Sequence, residues 1–84
     1  MIELFDNLKN IYPDKIILLR IDNYYELYRE DAKRASGVLH INALTRIVND
    51  EDISVIRFHM QDLSRNLEKL VRGGLKVAIY DDKL

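Results

Sequence analysis

Three tyrosines and a glutamate fall within five consecutive positions, Tyr24-Tyr25-Glu26-Leu27-Tyr28, the densest concentration of chemistry in the chain. Phenol rings stack on flat partners and carry a polar tip, and a carboxylate accepts hydrogen bonds. Such a set suits recognition of a base or a partner side chain better than bond making. The means for catalysis are sparse elsewhere. No serine has a recognisable base beside it, cysteine is absent, and no acidic cluster has metal-site spacing. His40 and His59 are the only histidines, so neither a structural zinc site nor any other metal or cofactor is expected. The sequence predicts a protein that is not an enzyme.

The elements that must hold the cluster are legible on either side of it. Ile16-Ile17-Leu18-Leu19 is a continuous apolar run, the pattern of a strand covered on both faces. Asp22-Asn23 are turn-tolerant and break the extended run. Tyr24–Tyr28 then reads as a kinked aromatic-acidic segment leading into a helix over 30–39, where Ala32, Ala35, Val38 and Leu39 recur at helical spacing. Ahead of the strand, Ile2, Leu4, Phe5 and Leu8 form the stripe of a short helix that Pro13 brings to an end. Segments 42–48 and 53–58 read as a hairpin around the polar tip Asn49-Asp50-Glu51-Asp52, expected to be solvated. A helix over 60–72 carries the stripe Leu63, Leu67, Leu70 and Val71, with Gly73-Gly74 as its left-handed stop. A strand over 75–80 follows, then the polar tail Asp81-Asp82-Lys83-Leu84, in which Asp81-Asp82 are expected to be hydrated. The fold class is therefore α/β, a mixed four-stranded sheet with about three packed helices in one module spanning residues 1–84.

Composition narrows the classes. At 84 residues there is room for one domain and a modest core. No apolar run approaches the roughly 18 residues of a membrane span, and the N-terminus lacks the basic start of a signal peptide. A soluble cytoplasmic protein with no membrane partner is expected. The net charge of −1 gives no basic footprint of the kind nucleic-acid binders usually show. Lys33 and Arg34 on the predicted helix could meet a phosphate backbone, although Glu30 stands at helical spacing to pair with a cation there. Arg57 and His59 at the hairpin exit could contact a ligand but read more simply as a solvated rim, and His40 reads as a cation at a helix end that complements the dipole.

Three stretches together resemble the N-terminal, mismatch-recognition domain of the MutS family. They are Tyr12-Pro13-Asp14 ahead of an apolar strand ending near Arg20; Tyr24-Tyr25-Glu26-Leu27-Tyr28 with Asp31-Ala32-Lys33-Arg34-Ala35-Ser36; and the helix-Gly-strand ending Leu67–Ile79. In that family an aromatic-x-Glu motif does the sensing. The aromatic ring wedges from the minor groove against a mispaired base, and the glutamate hydrogen-bonds to a base edge. The resemblance implies Tyr24 as the wedge and Glu26 as the base-reading carboxylate, with Lys33 and Arg34 as nearby DNA contacts. A wedge must unstack a base step at a cost of a few kcal/mol, and a mispaired step resists that less.

The chain departs from the family pattern at three places. Asp22-Asn23 stand where the family has Gly-Asp, Tyr24 replaces phenylalanine, and Arg57-Phe58-His59 occupy the place of a Gly-x-Pro stretch. There is no G-x-x-x-x-G-K-[ST] sequence, so no ATP site is expected in this chain. One small domain grips few phosphates, and phosphate neutralisation supplies most non-specific affinity, so weak binding of mismatched double-stranded DNA is expected. The alternative is a protein-interaction module that docks a partner through the same tyrosines, since tyrosine and arginine are favoured at interface hot spots.

Overall fold

The computed structural model describes residues 1–81. Its elements run α1 (Ile2–Ile11), β1 (Lys15–Ile21), β2 (Tyr24–Tyr28), α2 (Arg29–Leu39), β3 (Leu44–Val48), β4 (Glu51–His59), a single 3₁₀ turn (Met60–Asp62), α3 (Leu63–Arg72) and β5 (Lys76–Tyr80). The strands form one mixed sheet in the order β3-β4-β2-β1-β5, with β1 and β5 parallel and the other pairs antiparallel.

The α/β class holds, but the sheet has five strands, not the four expected. The additional strand is β2. Asp22 takes a left-handed φ of 54°, and the chain reverses over Asp22-Asn23 so that Tyr24 lies opposite Ile21. The segment read as a kink is thus the centre of the sheet, paired to β1 on one side and β4 on the other. Tyrosine favours strands, and both faces of β2 are covered. Tyr25 and Leu27 point to one layer, Tyr24, Glu26 and Tyr28 to the other.

The two layers divide the helices. Under α2 and α3, Ile16, Leu18, Tyr25, Leu27, Ile56 and Phe58 pack with Ala32, Ala35, Leu39 and Leu70. Under α1, Phe5 packs with Ile17, Leu19, Tyr28, Ile53 and Val55, its ring edge-on to Tyr28 at 5.4 Å. Where β2 leaves the sheet, the amide of Ile17 loses its strand partner. The buried Asp31 carboxylate accepts that N–H at 3.0 Å and also pairs with Lys9 at 2.9 Å.

Other junctions are tighter than the sequence implied. The hairpin loop is only Asn49-Asp50, both at positive φ, so Glu51 and Asp52 belong to β4. Arg29 enters α2 at φ 57°, held by Asp6 (2.9 Å) and Glu51 (2.6 Å). His40 ends α2 in the left-handed conformation; α3 is capped by Gly73 at φ −74°, and only the next residue, Gly74 (φ 85°), is left-handed. Asp81 is not a hydrated tail residue: its carboxylate pairs with Arg20 at 3.1 Å, its side chain 4% exposed. The expectations for Asp82, Lys83 and Leu84 lie outside the described residues.

Candidate nucleic-acid interface

Tyr24 opens β2 at one end of the sheet, directly after the exposed turn Asp22-Asn23. Two hydrogen bonds fix that turn. The Met60 N–H donates to the Asn23 carbonyl at 2.8 Å, and Arg20 Nε donates to the Asp22 carbonyl at 2.6 Å. Arg20 also reaches Met60 Sδ and Asp81, so one side chain ties the turn, the 3₁₀ turn and the end of β5 together.

The strand register then decides who surrounds Tyr24. Tyr24 lies opposite His59, and Glu26 opposite Arg57. The Arg57 guanidinium carbon sits 3.7 Å from the Tyr24 ring centroid, a close cation–π contact, and the His59 ring stands edge-on to Tyr24 at 5.4 Å. His59 Nδ1 accepts the Gln61 N–H at 3.1 Å, capping the turn that follows. The half-buried Tyr24 ring is thus backed by a cation and an imidazole.

Glu26 is buried beside it, 3% exposed. Arg46 reaches both of its oxygens, at 2.9 and 3.2 Å, Tyr28 donates its hydroxyl to Oε1, and Arg57 Nε lies 3.4 Å from Oε2. Burial on its own pushes the Glu26 carboxyl upward, but hydrogen bonds from Arg46 and Tyr28 and the charges of Arg46 and Arg57 outweigh it and hold the group below the ordinary carboxylate range. Burial and the bond to Glu26 push the Tyr28 phenol above its usual range. Glu26, Tyr28 and Arg46 also line a shallow pocket of about 300 Å³ rimmed by Ile2, Ile21 and Val48.

Of the residues expected to act together, the structure unites Tyr24 and Glu26 on the α1 side of the sheet. It does not bring Lys33 and Arg34 to them. Both sit exposed on α2, which packs on the opposite face, and Lys33 pairs with Glu30 at 3.3 Å. In their place stand Arg46 from β3 and Arg57 from β4, whose local sequence marks the one as outside the cluster and the other as a rim residue. The signal that finds them is strand register, available only once Tyr24–Tyr28 is recognised as a strand. Among the described residues no group of three or more histidine, aspartate or glutamate side chains is placed to hold a metal ion, and no helix is long and apolar enough to cross a membrane.

The family described as MutS domain I matches residues 1–83. The chain is similar to the DNA mismatch repair protein MutS of Flavobacterium johnsoniae, 35% identical over 82 residues, which are 96% of this chain and 9% of that protein. The protein of the same name from Phocaeicola vulgatus is 41% identical over 83 residues, 96% of this chain and 9% of the relative. That of Thermotoga maritima is 42% identical over 81 residues, 96% and 10%. The chain therefore spans about a tenth of the length of the curated relatives it matches. A family match over nearly the whole chain, on the mixed α/β sheet described above, makes this chain a member of the MutS domain I family.

Proposed function

We propose that this chain is a non-catalytic recognition domain that takes mispaired or otherwise distorted duplex DNA against the Tyr24 end of its sheet, in the mismatch repair that its relatives' name describes. The observation that carries it is the Tyr24 ring, presented at a hydrogen-bonded turn and backed by Arg57 at 3.7 Å. An aromatic group held in one orientation loses little freedom on stacking against a base, and a distorted step yields to it more readily than a paired one. Two cations, Arg46 and Arg57, share the Glu26 carboxylate behind the ring, so the buried acid there is more than neutralised.

In this proposal Tyr24 makes the direct contact, and Glu26 acts by positioning Arg46 and Arg57. A hydrogen bond from Glu26 to a base edge requires that Arg46 or Tyr28 first give up its hold on the carboxylate. Lys33 and Arg34 are not assigned to this contact, since they stand exposed on α2, which packs on the opposite side of the sheet. The absence of cysteine, and of a nucleophile with a partner base, supports a non-catalytic role.

A second reading, docking of a protein partner, has one specific observation in its favour. The edge strand β3 leaves Leu44 and Ile47 each 71% exposed. Fluorescence anisotropy separates the two. Tighter binding to a duplex with one unpaired base than to its paired counterpart, weakening steeply with salt, supports DNA recognition. Absence of binding to either duplex at low salt and high protein concentration contradicts it, and attention then moves to β3.

A further inference from the structure

Of Arg46 and Arg57, the two cations that share Glu26, Arg57 is the one whose terminal nitrogens hold no protein acceptor among the described residues. Arg46 commits both terminal nitrogens to the Glu26 oxygens. Arg57 approaches the same carboxylate most closely through Nε, at 3.4 Å. Among the described residues no hydrogen bond joins its terminal nitrogens to a protein acceptor, and its side chain is 48% exposed. It is nonetheless not a freely moving surface arginine. The Tyr24 ring lies 3.7 Å from its guanidinium carbon, and the carboxylate anchors the inner edge of the fork. A planar guanidinium restrained on two sides, with its outer pair of nitrogens open, has the geometry that binds a phosphate through two parallel hydrogen bonds.

We propose that Arg57 is the phosphate-binding fork of this face, grasping the phosphodiester next to the base step that Tyr24 meets. This rests on the proposal that the face contacts DNA, and adds which group of the duplex is held and by which residue. Tyr24 and Arg57 then work as one unit, the ring addressing the base step and the guanidinium fixing the backbone beside it. Glu26 has a positioning role, since it holds the fork from behind without touching the ligand.

The test uses a labelled duplex with one unpaired base, across a salt series, with wild type, Arg57→Gln and Arg57→Lys, each checked for folding by circular dichroism. Versions of the duplex carry a single uncharged methylphosphonate on either side of the unpaired base. Loss of one phosphate contact lowers the slope of log affinity against log salt by about 0.9, which is expected for Arg57→Gln. Arg57→Lys is expected to keep the slope, as a point charge, while binding more weakly than wild type. One of the two methylphosphonates is expected to weaken wild type about tenfold, on the scale of a charge-assisted hydrogen bond, and to leave Arg57→Gln unaffected, as coupled partners require. An unchanged slope in Arg57→Gln overturns the proposal. So does a reduced slope with no coupling to either flanking phosphate, because the charge is then acting at a distance. If wild type binds no duplex at all, the DNA-contact proposal itself fails and this one fails with it; a failure confined to Arg57 leaves the former standing.

Discussion

Glu26 and Arg46 form a two-pronged ion pair across strands that are not neighbours: Arg46 on β3 reaches over β4 to meet the carboxylate on β2 at 2.9 and 3.2 Å. The pair is lopsided in exposure, the glutamate side chain being 5% exposed and the arginine 46%. Removing either partner therefore has unequal consequences. Glu26→Gln leaves Arg46 free to turn to water, whereas Arg46→Ala leaves a buried carboxylate short of its main donor. Arg46→Ala is expected to cost about 1–3 kcal/mol, the price of an under-satisfied buried group, and Glu26→Gln less, both read from urea unfolding.

The same pair fixes a pH dependence. In wild type the folded Glu26 carboxyl lies below its ordinary value of 4.5, so its stabilisation is complete above that value and is lost as pH falls through the lower folded value. In Arg46→Ala the hydrogen bonds and charge of Arg46 are gone while burial, the largest single influence, stays, so the folded value is expected to rise. The stabilisation that Glu26 gives wild type above its ordinary value is then reduced. Unfolding midpoints of wild type and Arg46→Ala are expected to converge as pH falls below the ordinary value of 4.5. Parallel curves would contradict this.

Arg29 gives a backbone prediction. Its φ of 57° is costly for any residue with a Cβ, and its side chain offsets that through Asp6 and Glu51. Arg29→Ala and Arg29→Gly lose the same ion pairs, but glycine accepts the left-handed conformation. Arg29→Gly is expected to be more stable than Arg29→Ala by about 1 kcal/mol, the reverse of the order inside a helix. Chemical denaturation decides between them.

How much of this was legible in the chain varies with how local the cause is. Ile16–Leu19 announce a buried strand, and Leu63, Leu67 and Leu70 announce α3, because each pattern lies within a few residues. Glu26 defeats that kind of reading. A glutamate between tyrosines does not look like the middle of a sheet, and its burial is made possible by Arg46 and Arg57, which lie 20 and 31 positions further along. Nothing local marks β2 as a strand, so the register stays hidden in the sequence, and the register is what places Arg57 and His59 beside Tyr24. Tyr24 and Glu26 stood out by type; the cations that complete their face are a product of tertiary pairing.

Arg20 supplies a test of how firmly the Tyr24 turn is held. It donates to the Asp22 carbonyl and pairs with Asp81 while contacting Met60. Arg20→Ala is expected to speed hydrogen exchange at the Met60 amide, which donates to Asn23, with little change in the core amides of β1. Uniform loss of protection across the sheet would show that Arg20 supports the whole fold and not this turn.

On the proposed function, the Tyr24 ring reads distortion in the duplex. The most direct measurement is the ratio of affinities for a duplex with one unpaired base and its fully paired counterpart, in wild type and Tyr24→Ala at the same salt. Wild type is expected to prefer the distorted duplex, and Tyr24→Ala to bring the ratio close to one while retaining weak, salt-sensitive binding through Arg57. Aromatic stacking on a base is worth about 1–3 kcal/mol, a preference of roughly fivefold or more. A ratio of one in wild type, or a preference that survives Tyr24→Ala undiminished, would contradict the claim.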